Sequence, residues 1–198
     1  PLGVCVAATQ GTIGYMIQQS MQNKLRNMDI DREVVTLISQ VLVNANDPQI
    51  KNPQKFIGPR YTKEKAEDLA NKFNWHIKEQ IKGDWRRVVP SPMPEYIMHG
   101  KSIKALVDRG TIVISSGGGG IPVFNNDMGQ LEGLDAVIDK DFSAAKLGRI
   151  IRAQELWIIT DIDSVYLNFR TEKQKRLKVT TRNQVEQYLN KGEFQKGS

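Results

Sequence analysis

Residues 111–124 read TIVISSGGGGIPVF, and the fold hangs on how this stretch is taken. Thr111–Ile114 are all β-branched, which suits a strand. Four glycines follow, Gly117, Gly118, Gly119 and Gly120. Each loses more backbone freedom on folding than any other residue type. Either the segment is a hinge, or something approaches its backbone so closely that a Cβ would block it. The strand just before the glycines favours a loop whose N–H groups face an anion. It is not a Walker A loop, because no Gly-Lys-Ser/Thr follows.

Working outward, strands and helices alternate. EVVTLISQVLV, 33–43, is nearly all apolar and predicts one strand buried on both faces, as in a parallel sheet. Before it, residues 4–26 predict a helix with Ile13, Met16, Ile17, Met21 and Leu25 on one stripe. Gly11 and Gly14 interrupt that helix, which points to a loop or to close helix packing. After it, NANDPQIKNPQKFIGPRY, 44–61, reads as loop or boundary. TKEKAEDLANKF, 62–73, reads as a helix capped by Thr62, and 75–92 as a hairpin turning at Gly83-Asp84. Residues 45–92 together predict a small subdomain inserted into a core of 1–44 and 93–198. The core resumes with a helix over 99–109 stopped by Gly110 and a strand over 111–116. A short strand or turn follows, then a helix from near Asp141. A buried strand is expected over 155–160, and a helix from Thr181 to Gly192 with capping-box spacing to Gln184. Such alternation argues for an α/β fold with helices on both faces of a parallel sheet.

Composition narrows the functional classes. The formal net charge is +6, but 28 basic residues are spread among 22 acidic ones, without a dense basic block carrying aromatics. That disfavours a nucleic-acid-binding module and is equally well explained by an anionic substrate. The single cysteine, Cys5, permits no internal disulfide, in keeping with a reducing compartment. It sits in an apolar stretch and reads as core, as do Trp75, Trp85 and Trp157. No apolar run reaches membrane-spanning length. The chain opens on Pro1 and closes on FQKGS, which reads as part of a longer protein.

Ligands of parallel α/β sheets bind beyond the carboxyl ends of the strands. Three segments are expected there: the glycines, Asp139-Lys140-Asp141, and Thr160-Asp161-Ile162-Asp163. The Lys140 ammonium could stabilise charge on a transferred phosphoryl group, with Asp141 orienting it. The bland alternative is a helix cap by Asp141 beside a solvated lysine. The 160–163 segment could hold a ribose, a base edge or a metal, or be a loop with Asx turns. Lys55, Arg86 and Arg87 belong to the insertion and could close over an anion, or be solvated surface charge. His76 and His99 lack metal-ligand spacing.

In order along the chain stand TQGTIGYMIQQ, DPQIKNPQKFIGPRYT, WRRVVPSPMP, SSGGGGIPV, EGLDAVIDKDFSAAKL and TDIDSVYLNF. This series resembles the carbamate kinases of the amino acid kinase family, over essentially the whole chain. The resemblance implies a three-layer αβα sandwich with a mainly parallel sheet, a protruding subdomain over the site, and a cytoplasmic homodimer. It implies reversible phosphoryl transfer between ATP and carbamate, giving ADP and carbamoyl phosphate, with Mg2+, used for ATP synthesis in arginine breakdown. By motif, Lys55 resembles the subdomain lysine that reaches carbamoyl phosphate. Lys140 resembles a catalytic lysine on the transferred phosphoryl, and Asp141 the aspartate that holds the lysines. Gly117–Gly120 resemble the wall near phosphate and acceptor. Thr160, Asp161, Val165 and Tyr166 resemble the nucleotide side, with Tyr166 near the adenine. No protein-held metal site, nucleic acid or membrane is implied.

There are departures. Phe56 and Arg60 stand where that family has proline and phenylalanine, and EQIKGDWRR replaces EDAGRGWRR. The family's GGNA and HGNGPQ loops are expected upstream of Pro1, and its MxPK segment beyond Ser198. The 198-residue piece alone is therefore expected to turn over little. The alternatives are a catalytically silent fragment that only folds or dimerises, and a different amino acid kinase.

Overall fold

The structure is a computed structural model that describes residues 1–194; the last four residues of the expected core, 195–198, lie outside it. Two compact units are present, Pro1–Leu156 and a second from Trp157 onward.

The first unit opens with α1 (Leu2–Asn27), followed by β1 (Val34–Thr36), β2 (Gln40–Val43), α2 (Pro48–Lys51) and β3 (Lys55–Tyr61). Then come α3 (Lys63–Phe73), β4 (His76–Ile81), β5 (Asp84–Val89), β6 (Pro94–Ile97) and α4 (Gly100–Asp108). It finishes with β7 (Ile112–Ile114), β8 (Ile121–Asn125), β9 (Leu131–Gly133) and α5 (Lys140–Ile151). The second unit holds a hairpin of β10 (Val165–Leu167) and β11 (Lys175–Leu177), then α6 (Arg182–Asn190). Thr181 and Gln184 close the expected capping box on α6.

The expected strand over 33–43 is two strands, because its neighbour contains the glycines. β1 pairs in parallel with β7, Val34 opposite Ile112, and β2 in parallel with β8, Gln40 opposite Ile121. The six residues 115–120 oppose only 37–39, so the longer chain loops out and both chains then resume pairing. The glycines thus interrupt a parallel ribbon, rather than lead from a strand into a helix. Across the gap, the Gln10 side chain replaces the missing ladder: its Oε1 accepts from Ser39 N–H at 2.8 Å and its Nε2 donates to Ser39 O at 3.2 Å.

The sheets are mixed, not purely parallel. The order β6-β2-β8-β9 has antiparallel edges, whereas β3-β5-β4 is a separate antiparallel sheet with α3 packed against it. Residues 55–61, expected as loop, form β3 because their carbonyls and amides find β5, Lys55 opposite Val89. The predicted hairpin and the Thr62 cap are present. The core joins Val41, Val43, Ile97, Ile103 and Ile138, between the four-stranded sheet and helices α4 and α5.

Three expectations about apolar residues fail. Residues 155–160 form no strand, and Trp157 and Ile159 are 80% and 94% exposed. A strand buried on both faces needs a neighbouring strand on its ladder, and among the described residues no strand ladder includes this run. Cys5 is also exposed. In α1 the buried positions are Gln10 and Gly14, not the predicted stripe. Gly14 lies where a Cβ would stand 2.2 Å from Thr36 Cγ2, so the Gln10–Gly14 face goes inward while Ile13, Met16 and Ile17 are left exposed. No helix among the described residues is long and apolar enough to cross a membrane.

Candidate active site

The candidate site is built around the first turn of α5. Asp139 is its N-cap, Oδ1 accepting from the Asp141 N–H at 3.0 Å. The other oxygen, Oδ2, accepts from Lys55 Nζ at 2.9 Å, which ties the start of β3 to the start of α5. Burial is the largest influence on the Asp139 carboxyl and opposes its ionisation. The hydrogen bonds from Lys55 and the Asp141 amide, with the charges of Lys55 and Lys140, outweigh it and hold the group below the usual carboxylate range. Lys140 and Asp141 pair with each other at 3.6 Å, both well exposed. The capping acid is therefore Asp139, where the sequence left Asp141 as the candidate. Asp139 is also the acid that holds Lys55, a role the sequence did not single out. Both acids precede the apolar run of α5, so the capping pattern alone does not choose between them.

The glycine loop packs against the same turn. Gly119 N–H donates to Ser116 O at 2.8 Å, closing a turn, and Ser116 N–H donates to Ser39 Oγ at 3.1 Å. Gly119 has φ +132°, and a Cβ there would stand 2.4 Å from Ile138 O. Gly120 has φ +95°, and a Cβ would stand 2.1 Å from Val41 Cγ2. What approaches these two glycines so closely is the protein's own chain. Gly118 is different: it is exposed and nothing lies within 4 Å of its would-be Cβ. Among the described residues no bond engages the Gly117 or Gly118 N–H. Ser143, one turn into α5, is wholly buried and donates from Oγ to Gly119 O at 2.6 Å.

A cleft of ≈ 470 Å3 opens on the α1 side of the loop, lined by Ile13, Ile17, Thr36, Gly117 and Gly118 among others. Its lining is mostly apolar, so it is a poor anion pocket by itself. Arg87 stacks on Trp75 at 4.8 Å from the ring centroid, with Asp135 at 4.0 Å, and Arg86 reaches Gln80 at 2.9 Å. Neither arginine is bonded to Asp139 or the glycine loop. Thr160, Asp161, Val165 and Tyr166 lie in the second unit. There Tyr166 donates to Asp163 at 2.9 Å, a bond that is the main cause of its raised pKa, and Val165 opens β10 opposite Leu177. Among the described residues no group of three or more His, Cys, Asp or Glu could hold a metal ion.

Chemically, the α5 turn combines a helix N-terminus, two lysines and two unengaged loop amides. That set suits a multiply charged anion. Residues 14–198 match the profile of the Amino acid kinase family. Carbamate kinase of Pyrococcus furiosus is 44% identical over 198 residues, all of this chain and 63% of the relative. A crystal structure from Aeropyrum pernix K1 superposes with TM-score 0.91 at 36% identity, covering 100% of this chain and 64% of that one. Carbamate kinase from Giardia lamblia bound to AMP-PNP superposes with TM-score 0.88 at 35% identity, covering 100% and 63%. The chain thus spans about 63% of the length of the curated relatives it matches.

Proposed function

The chain belongs to the amino acid kinase family, and from that premise we propose that its reading frame encodes a carbamate kinase. The reaction is reversible phosphoryl transfer between ATP and carbamate, giving ADP and carbamoyl phosphate. The observation that carries this reading is the α5 turn, where Asp139 gathers Lys55 at 2.9 Å and the glycine loop packs alongside. Carbamate and the terminal phosphate are both anions, so in-line attack requires cations and N–H groups that neutralise them. Lys55 leaves Asp139 for the anion, Lys140 takes the transferred phosphoryl, and the Gly117 and Gly118 amides face its oxygens. In the forward direction a carbamate oxygen bonds to the γ-phosphorus and the bond to the ADP oxygen breaks. Carbamate is already an oxyanion, so no proton has to be removed from it and no general base is required.

Asp141 pairs with Lys140 at 3.6 Å, which supports an orienting role for it. Thr160, Asp161, Val165 and Tyr166 are the residues proposed to contact the nucleotide; that the protein takes a nucleotide is supported by the AMP-PNP bound to the Giardia relative. Mg2+ would come with the nucleotide phosphates and neutralise part of their charge during the transfer. Residues 45–92 serve as the lid of an amino acid kinase-like αβα core, and the enzyme is a cytoplasmic homodimer working toward ATP in arginine breakdown.

A coupled assay on the intact reading frame tests the proposal. ATP should form from ADP and carbamoyl phosphate, and Lys140→Ala should abolish it. Turnover unchanged by Lys140→Ala would remove that lysine from the mechanism, and no ATP from the unaltered protein would end the reading.

A further inference from the structure

We propose that Ser143 is a positioning residue: its hydroxyl holds the glycine loop against the N-terminus of α5 and so sets where the Gly117 and Gly118 amides stand. The inference rests on the phosphoryl-transfer reading above and adds a residue to it.

Nothing in α5 itself requires a serine at this position. The Ser143 N–H already bonds to Asp139 O at 3.2 Å, as an ordinary helical amide. Alanine has the better helix propensity there. The hydroxyl acts across the chain instead, donating to Gly119 O at 2.6 Å from a site with 0% exposure. Gly119 is held on both sides, since its own N–H donates to Ser116 O at 2.8 Å. A Cβ at this position would also stand 2.4 Å from Ile138 O, closer than any side chain tolerates.

The turn 116–119 is therefore pinned twice. Ser39 Oγ accepts from the Ser116 N–H at one end, and Ser143 holds the Gly119 carbonyl at the other. Gly117 and Gly118 are the exposed pair between the pins. Without the hydroxyl, the buried Gly119 carbonyl has lost its partner, and the loop must turn to reach water. That rotation moves the neighbouring amides. Displacements of about 1 Å near reacting groups can cost roughly a hundredfold in rate.

The test uses the intact reading frame and steady-state kinetics in the direction of ATP formation. Ser143→Ala is compared with Ala145→Gly, which weakens α5 from its exposed side without touching the loop. The expected result for Ser143→Ala is a KM for carbamoyl phosphate raised about tenfold, with the KM for ADP near wild type. Ala145→Gly should lower Tm and leave both KM values in place. If Ser143→Ala leaves the carbamoyl phosphate KM unchanged, or shifts it no more than Ala145→Gly does, the inference is overturned. Should Ser143→Ala fail to fold, Ser143→Cys carries the test, because it keeps the volume and donates only weakly. A raised KM in that variant supports the role, and a wild-type KM removes it. An inactive wild-type protein overturns the parent reading instead, so the two failures are distinguishable.

Discussion

Asp139 does two things with one carboxylate. One oxygen caps α5 and the other holds Lys55 at 2.9 Å. Substitution by asparagine separates the two roles, since asparagine caps a helix about as well but carries no charge. Lys55 and Asp139 are each about one-third exposed, so the ion pair is screened and contributes on the order of 0.5 kcal/mol. Its pH dependence has a definite sign. The folded-state pKa of Asp139 is lowered, so the stabilisation is fully present above the unfolded carboxylate value of about 3.9. It is lost as pH falls through the lower folded value. Urea unfolding should show Asp139→Asn less stable than wild type at pH 7, with the gap closing once the native carboxyl is protonated. A gap that persists unchanged into strong acid would mean the pair contributes nothing through its charge. This pairing was not legible in the sequence, because Lys55 and Asp139 are 84 positions apart and only the fold makes them neighbours.

At the scale of elements, the glycine loop divides into positions with different reasons for being glycine. Gly119 and Gly120 combine positive φ with contacts closer than any Cβ allows, whereas Gly118 has open space around it. Gly119→Ala should destabilise by about 3 kcal/mol, through backbone strain and a forced shift of Ile138. Gly118→Ala should change stability by no more than about 0.5 kcal/mol while impairing turnover, since a methyl there stands in the space where substrate oxygens are proposed to sit. Denaturant midpoints and coupled-assay rates on the pair check this. Equal stability losses would show that the close contacts at Gly119 relax freely. The sequence left a hinge and a close approach both open here, and in the second case did not say what approached. The helix ends were more legible: Thr62 and the Thr181–Gln184 box act within one turn, so neighbouring residue types suffice to specify them. The strand expected over 155–160 was misread for the opposite reason. Apolar character states that a segment can be buried, while pairing requires a neighbour that local pattern does not supply.

For the molecule as a whole, exposed apolar surface has a consequence in solution. Ile159 is 94% exposed and follows the exposed Trp157 and Ile158. A patch of this kind promotes association between chains. Ile159→Lys in the 198-residue chain should reduce concentration-dependent light scattering and alter unfolding free energy by less than about 0.5 kcal/mol. Loss of folding in that variant would show that Ile159 is held by packing. The net charge of +6 gave a sign without a location, and the structure gathers two of those cations, Lys55 and Lys140, around one helix start. The sequence by itself determined the longer helices, the caps at Thr62 and Thr181, the hairpin at Gly83 and the series of motifs that marks the family. These are properties of residue type and short spacing, which act within a few residues of the chain. Only the tertiary structure decided that the glycines loop out of a parallel ribbon, that Gln10 bridges the gap, and that Asp139 and Ser143 bind Lys55 and Gly119. Those contacts join residues 24 to 84 positions apart, and their partners are chosen by where the packed core brings the chain, which no local pattern encodes.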